Sequence, residues 1–384
     1  MTRINFLTSL ILITICNAFA GNDAYITSRR GYVTVFPVYQ SWTIEDSVDF
    51  SEISTPITLY LPLSRNLSMT LRGSQAIATG DKQNIAAGDN LGTLRGVSDT
   101  QLSFSYHVEA ANLVLNLGLN LPSGKRKLTE SEFNTSILLS NNIFNIQLPN
   151  LGQGFNIAPG FTLALPLSAN LVLGVGASYQ IKGKFKPLSA LEDNYDPGEE
   201  ILATGGFDLR LSETATFSTD VIFTIFGTDK IGDKEVFAPG NRLVANVQFR
   251  KYFNFHELRF FARYRSREKN DRAIILGEKL AKEPEKTFPN QLEIMAHFRI
   301  RFSRSFYTRL LVEGRLYQEA PAFVNIQSTP NSAGINLLGF GIAPEISPSS
   351  NFKIPMTFKY FTGSFKDGPK LSGFELGLGF SVSY

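Results

Sequence analysis

The last fourteen residues of the chain, 371–384, alternate between apolar side chains and polar or small ones, and this pattern limits the possible folds more than any other. A period of two predicts a β-strand whose two faces meet different media. The apolar set is Phe374, Leu376, Leu378, Phe380, Val382 and Tyr384. It runs to the terminal aromatic residue without a polar tail, and a soluble domain rarely leaves such a strand uncovered. We therefore expect the strand to be paired at its edges, with its apolar face in lipid.

An alternating last strand that ends in an aromatic residue resembles the C-terminal signature of bacterial outer-membrane β-barrels. The resemblance implies that the apolar set serves as the assembly signal read by the barrel assembly machinery. It also implies that outer-membrane lipid and lipopolysaccharide surround the folded chain. We accordingly expect an all-β protein, a transmembrane antiparallel up-and-down barrel in the outer membrane of a Gram-negative cell.

The first twenty residues predict a secretory signal peptide. Arg3 supplies the positive charge, residues 6–16 form the apolar run, and Ala18 and Ala20 form an A-x-A cleavage pattern. We expect a mature chain of residues 21–384 that folds as a single barrel domain. It would contain 36 Lys and Arg against 34 Asp and Glu, and no cysteine. Disulfides, thiol catalysis and cysteine metal sites are therefore excluded, and we expect no cofactor, metal or nucleic-acid partner.

Tight turns divide the remaining chain into hairpins. Alternating apolar runs lead into and out of small or polar residues suited to short turns. The predicted turns lie at 64–66, 110–111, 168–170, 213, 254, 303–305 and 348–351. Longer connections rich in Gly, Asp, Lys and Pro separate them, at 80–97, 123–152, 185–198, 228–240, 268–289 and 318–332. Short turns alternating with long loops are typical of a bacterial barrel. We count sixteen strands, beginning at 31–42, or fourteen if that first stretch lies outside the barrel.

Arginines concentrate on the inward face of four consecutive predicted strands. Residues 241–317 contain seventeen Lys and Arg against eight Asp and Glu, a net charge of +9. The residues expected to line the lumen are Arg242, Arg250, Arg259, Arg263, Arg265, His297, Arg299, Arg301, Arg309 and Arg315. Two interpretations stay open. The arginines form an anion-attracting pore lining, or they pair with Glu257, Glu293, Glu313, Asp208 and Asp220 and brace the barrel.

The connection at 123–152 is the longest, and it is the third loop of the sixteen-strand arrangement. After Lys125, Arg126 and Lys127 it becomes uncharged from residue 133 onward, which is unusual for a long loop in water. In this it resembles general diffusion porins, which fold their third loop into the barrel, although their loop is acidic and this one is not. It forms an apolar lid inside the barrel, or it extends the strands above the membrane.

Residues 99–106 and 117–128, DTQLSFSY and LGLNLPSGKRKL, resemble a strand pair of two groups of outer-membrane proteins. One group is associated with the degradation of aromatic compounds, and the other transports fatty acids and toluene. The fatty-acid transporters begin with an Asn-Pro-Ala type sequence that residues 21–30 lack. Their N-terminal plug and substrate residues are therefore not transferred to this chain.

The sequence favours a passive channel for small solutes with an anion bias. The alternative is a non-conducting structural or surface-contact barrel, an adhesin or envelope anchor. Catalysis is not expected, because His256 and Glu257 are followed by Phe260 where a zinc-binding HExxH motif needs its second His. An outer-membrane hydrolase is the least favoured reading, since His297 is predicted to face inward.

Overall fold

The structure is a computed structural model that describes residues 30–82, 91–273, 275, 277–284, 286–319 and 334–384. The described residues form one antiparallel sheet of sixteen strands that closes into a barrel, as the sequence predicts. The fourteen-strand alternative is therefore wrong. The signal peptide with Ala18 and Ala20 lies outside the described residues.

The strands are named β1 to β16, and β1, β4 and β16 each consist of two segments. They are β1 (Tyr32–Val35 and Val38–Ile44), β2 (Val48–Pro62), β3 (Leu67–Lys82), β4 (Leu94–Val97 and Thr100–Val108), β5 (Leu113–Leu121), β6 (Asn156–Pro166), β7 (Leu171–Lys182), β8 (Glu200–Ser212), β9 (Ala215–Phe226), β10 (Arg242–Phe253), β11 (His256–Arg267), β12 (Gln291–Arg301), β13 (Phe306–Tyr317), β14 (Ile335–Ser349), β15 (Phe352–Phe365) and β16 (Lys370–Leu378 and Phe380–Ser383). An α-helix, α1 (Glu130–Leu139), lies between β5 and β6.

The barrel closes where β1 pairs with β16. Val33 is opposite Val382, and Tyr39 is opposite Leu376. Both strands are interrupted at the same height, β1 at residues 36–37 and β16 at Gly379. The ring of Phe36 occupies the space beside Gly379, where a Cβ would lie 2.2 Å from the ring. Only glycine fits this close approach, so Gly379 allows the last strand to complete the sheet.

Alternation along each strand separates an apolar outer surface from a polar inner one. In β16, Leu376, Phe380 and Val382 point outward, whereas Glu375 is buried inside. In β11, Phe260 and Tyr264 point outward, whereas Arg263 is only 6% exposed. The predicted orientation of these strands is therefore confirmed. An apolar outer band with a polar interior is the arrangement expected of a barrel in a membrane.

Two kinds of connection define the two ends of the barrel. Seven tight turns, all at their predicted places, lie at the end that also holds the two described chain ends, and we name it the turn end. The other end, the loop end, carries the longer connections. Two connections there are short: 45–47, which the sequence did not reveal, and 366–369. Residues 94–97, predicted to lie in a loop, belong to β4.

Some strands extend past the apolar band at the loop end. Strands β2, β3, β14 and β15 contain 14 to 16 residues, while about 9–11 suffice to cross a bilayer. Their outward residues at this end are polar, for example Asp49 and Thr362. We name the loop-end parts of β1–β3 and β14–β16 the collar.

Replacing Phe380 and Tyr384 together with Ser should impair assembly of the barrel. Each change removes an outward apolar side chain that contributes about 1.5–3 kcal/mol when it leaves water. Tyr384 also donates its backbone N–H to the carbonyl of Gly31 at 3.0 Å, next to the closing seam. The measurement is the fraction of protein that shows heat-modifiable migration in a detergent gel. The control is replacement of the inward Ser381 and Ser383 with Ala, and wild-type migration of the Phe380/Tyr384 variant would contradict the role of the apolar face.

Candidate functional site

The predicted arginines share the inner face of β10–β13. The strand register places Arg250 opposite Arg259, and Arg299 opposite Arg309. All ten predicted lumen residues occupy inward positions, namely Arg242, Arg250, Arg259, Arg263, Arg265, His297, Arg299, Arg301, Arg309 and Arg315. Their outward neighbours are apolar, for example Phe298 and Leu310. We name this surface the basic wall.

In the loop-end half of the basic wall, carboxylates pair with Arg263, Arg265 and Arg315, whereas no ion pair of Arg242 is found among the described residues. Glu293 contacts Arg265 at 2.8 Å and Arg263 at 3.7 Å. Glu313 contacts Arg315 at 2.5 Å and Lys359 at 3.8 Å. The Glu313–Arg315 pair is buried and the Glu293 pairs are partly buried, so loss of one partner would leave an uncompensated charge. For this half, the interpretation that the arginines brace the barrel agrees with the geometry.

The other predicted carboxylates contribute less. Asp220 reaches the wall through Asn246, which donates to Asp220 at 2.7 Å and accepts from Arg263 at 2.9 Å. Within the described residues, no ion pair joins Asp208 to an arginine, and Asp208 is exposed to the lumen. Ion pairs with Asp208 and Asp220 therefore do not neutralise the positive charge of the basic wall.

In the turn-end half, positive charge exceeds negative charge. Glu257 is shared by three guanidinium groups, with N–O distances of 3.5 Å to Arg250, 2.9 Å to Arg259 and 3.0 Å to Arg299. Arg301 donates to the carbonyl of Ser303 at 3.1 Å instead of to a carboxylate. The surplus arises because like-charged residues recur on adjacent strands, while Glu257 is the one glutamate in the turn-end half of β10–β13. A second buried glutamate, Glu345, lies on the next strand opposite Tyr307 and contacts Lys353 at 3.8 Å.

The long connection between β5 and β6 packs inside the barrel, and we name its residues 125–152 the lid. Its helix α1 begins with a capping box. The Thr129 side chain accepts from the N–H of Glu132 at 3.3 Å, and the Glu132 carboxylate accepts from the N–H of Thr129 at 3.1 Å. Glu132 also pairs with Lys125, and this partner, against the opposing effect of burial, lowers the pKa of Glu132. The helix thus starts at a fixed place above the lumen.

Aromatic side chains of the collar hold the lid against one side of the barrel. Phe144 is 1% exposed and packs against Trp42 and Phe50, with ring centroids 5.3 Å and 4.7 Å away. Trp42 in turn stacks on Phe361 at 4.9 Å. Ile143 and Leu139 belong to the same cluster. The cluster explains why Trp42, Phe50 and Phe361, which face the lumen, are apolar.

Three polar side chains of the barrel strands bind the lid backbone. The Gln40 amide donates to the carbonyl of Asn145 at 3.2 Å and accepts from the N–H of Gln147 at 2.9 Å. Glu52 accepts from the N–H of Leu148 at 3.0 Å. Arg315 donates to the carbonyl of Ile143. These bonds satisfy lid backbone groups that would otherwise be buried without partners.

Asp99 holds both ends of the lid. A β-bulge in β4 places three residues, 98–100, opposite two of β3 and turns Asp99 inward. Its carboxylate accepts from the N–H of Gly124 at 2.8 Å, before the lid, and from those of Gln153 and Gly154 at 2.7 and 3.1 Å, after it. Asn120 donates a fourth bond at 2.8 Å. The lid is therefore a loop closed at its base by one carboxylate.

The inward-folded lid is the alternative that the structure supports, and extension of the strands through 133–151 is wrong. Sequence reasoning missed the residues that bind it: Gln40, Trp42, Phe50, Glu52, Asp99 and Phe361. One signal was present. Apolar residues occupy inward positions near the loop end of β1 and β2, where a solvated lumen would favour polar ones.

Three further loop-end connections build a second cover. Short strands from the three connections between β7 and β12 form a five-stranded sheet, at Tyr195–Asp196, Asp229–Ile231, Lys234–Ala238, Asp271–Arg272 and Ala281–Lys282. The Tyr195 hydroxyl donates to Asp229 at 2.5 Å. Burial, and after it the neighbouring Asp229 carboxylate, raises the pKa of Tyr195 well above its ordinary value. This buried bond joins the first two of these connections.

In the described part of the chain, no helix is long and apolar enough to cross a membrane. Over the same residues, no group of three or more His, Cys, Asp and Glu is arranged to hold a metal ion.

No family model matches the chain, and no curated protein matches it. Solved structures with a similar architecture include OpdQ of Pseudomonas aeruginosa, with 8% identity over 93% of this chain and 100% of that one and a TM-score of 0.45. OccAB2 of Acinetobacter baumannii is 7% identical over 92% of this chain and 98% of that one, with a TM-score of 0.47. A TodX deletion mutant, described as a monoaromatic hydrocarbon channel, is 8% identical over 92% and 90%, with a TM-score of 0.48. No residue of the chain takes a role from these structures.

Replacing Asp99 with Ala should loosen the base of the lid without unfolding the barrel. The change leaves buried N–H donors without an acceptor, which costs about 1–3 kcal/mol for each one. We expect amide hydrogen exchange at residues 124, 153 and 154 to become at least about tenfold faster, since 1.4 kcal/mol is a factor of ten. The matched control is Asp208→Ala, which removes an inward but exposed carboxylate from β8. Unchanged exchange at these three amides in the Asp99 variant would refute the clamp.

Proposed function

We propose that the protein is an outer-membrane channel that passes small solutes passively and favours anions. The basic wall carries this proposal: in its turn-end half the arginines outnumber the carboxylates, and Glu257 is shared by Arg250, Arg259 and Arg299. Fixed charge on one side of a narrow polar passage raises the local concentration of the opposite charge. The apolar outer band and the absence of unpaired edges at the β1–β16 seam support a location in the membrane.

The orientation follows from the connections. In bacterial barrels the short turns face the periplasm and the longer loops face outward. We therefore place the turn end in the periplasm, with lipopolysaccharide around the collar and the lid at the outer mouth. The terminal strand, with its outward set ending at Tyr384, would be the part recognised by the barrel assembly machinery.

The lid narrows the outer mouth in this proposal. Its contacts lie on the loop-end half, with Gln40, Glu52 and Arg315, so the surplus charge of the basic wall lies beneath it. A solute that enters from outside would pass the apolar lid first and the arginines second.

A second candidate is a non-conducting barrel whose loops make surface contacts. The packing of the lid favours it, because Ile143 and Phe144 are almost fully buried against the collar. A lid held this firmly would act as a stopper. Conductance separates the two candidates.

The first test is the reversal potential of the purified protein in a planar bilayer under a KCl gradient. K⁺ and Cl⁻ have similar mobilities in water, so the sign of the potential reports the charge of the lumen. We expect a potential that shows preferential passage of Cl⁻. A preference for K⁺ would contradict the role of the basic wall, and no conductance would favour the non-conducting barrel.

The second test is Phe144→Ala, which should raise single-channel conductance. Removing a buried Phe costs about 3–5 kcal/mol of packing, and the lid would lose its contact with Trp42 and Phe50. The control is Phe340→Ala on β14, whose side chain is 50% exposed on the outer surface and does not touch the lid. Deletion of 141–147 gives the same readout without relying on one side chain. If conductance is unchanged in both lid variants, the lid is not the constriction.

A further inference from the structure

Two arginines lie side by side in the turn-end half of the lumen. The register of β12 and β13 places Arg299 directly opposite Arg309, and the next inward pair is Arg301 and Tyr307. Like charges directly opposite each other on one face of a sheet destabilise it. A neutralising group is therefore expected between them.

The protein supplies only part of that neutralisation. Arg299 contacts Glu257 at 3.0 Å, but Glu257 also contacts Arg250 and Arg259. Among the described residues, no ion pair joins Arg309 to a carboxylate, and its Nε is buried without a hydrogen-bond partner. Glu345, which is buried on β14 opposite Tyr307, contacts Lys353 at 3.8 Å. A buried guanidinium donor that lacks a partner is costly, so Arg309 is prepared to bind an acceptor that the chain does not provide.

One aromatic ring positions both guanidinium groups. The Cζ atoms of Arg299 and Arg309 lie 5.6 Å and 5.8 Å from the ring centroid of Tyr307. Cation–π contacts at such distances attract the cation to the ring. The Tyr307 ring thus holds the two guanidinium groups near each other.

The loop-end half of the basic wall offers a contrast within the same surface. Arg265 and Arg315 each have a carboxylate at 2.8 Å or less, so an added anion would compete with a charge already in place. The Arg299 and Arg309 pair does not have this competition to the same extent, since Glu257 reaches only one of the two.

We propose that Arg299, Arg309 and Tyr307 form a discrete binding site for a small divalent oxyanion in the lumen. The guanidinium fork matches the oxygens of phosphate, sulfate or a carboxylate in bidentate fashion, which a chloride ion cannot reproduce. A divalent oxyanion bridges the two forks and removes their mutual repulsion. The site rests on the proposed function in one respect: permeating anions would bind to it transiently between the lid and the turn end.

The first experiment measures block of the chloride current by phosphate. Single-channel current in KCl is recorded as inorganic phosphate is added at constant ionic strength, and again with sulfate and with the dicarboxylate succinate. We expect each oxyanion to reduce the current at concentrations where added chloride does not. The half-blocking concentration should rise at least about tenfold in Arg299→Gln and in Arg309→Gln. Relative potency separates a phosphate site from a carboxylate site.

The control is Arg210→Gln, which removes an inward, exposed arginine from β8 outside the basic wall. It should keep the wild-type half-blocking concentration. If it weakens the block as much as Arg309→Gln does, the effect is general lumen charge and the discrete site is refuted.

The second experiment does not depend on conduction. The melting temperature of the purified barrel is measured in detergent with phosphate or with chloride at equal ionic strength. We expect phosphate to raise the melting temperature of the wild type and of Arg210→Gln, but not of the Arg299→Gln/Arg309→Gln double variant. If the channel conducts chloride but does not respond to phosphate in either experiment, the oxyanion site is refuted and the proposed channel function is not. If phosphate stabilises the barrel but the barrel does not conduct, the oxyanion site is supported and the proposed channel function is refuted.

Discussion

Backbone hydrogen bonding is the constraint on which the whole structure depends. A sheet with an apolar outer face in lipid has no water to satisfy its edges, so its first and last strands must pair. The seam between β1 and β16 meets this condition, with Val33 opposite Val382 and Tyr39 opposite Leu376. Once the sheet is closed, the period of two fixes which side chains meet lipid and which meet the lumen. The basic wall is a direct consequence, because its arginines alternate with Phe, Leu and Tyr.

The lid illustrates the same condition inside the barrel. A segment of chain that enters the lumen must bury apolar side chains and satisfy its backbone at once. Trp42, Phe50 and Phe361 supply the apolar surface, while Gln40, Glu52 and Arg315 supply the hydrogen bonds. Asp99 closes the base. The collar extends beyond the apolar outer band, and we infer that the strands were lengthened to hold the lid and not to cross the membrane.

Local features of this protein were predictable from its sequence, and long-range contacts were not. The seven turns and the inward set from Arg242 to Arg315 follow from periodicity, which depends on neighbouring residues alone. The partner of Phe144 lies about a hundred residues earlier in the chain, and nothing local identifies it. Asp99 was missed because the bulge at 98–100 shifts the alternation of β4, so that Leu94 and Gln101 both face inward. The basic wall has a loop-end half with several ion pairs and a turn-end half with excess positive charge. This division depends on which strands align, whereas the composition gives only the net charge of the whole segment.

We therefore expect the turn-end half of the basic wall to determine the ion selectivity of the lumen, and the lid to control the entry of solutes. The most direct test reverses the charge of two wall residues, Arg299→Glu with Arg309→Glu, and measures the reversal potential under a KCl gradient. The account predicts a shift toward K⁺, with single-channel conductance still limited by an intact lid. The parallel variant Phe144→Ala should change conductance and leave the ion preference as it is. An unchanged reversal potential in the double charge-reversal variant would contradict the claim that these arginines set the selectivity of the lumen.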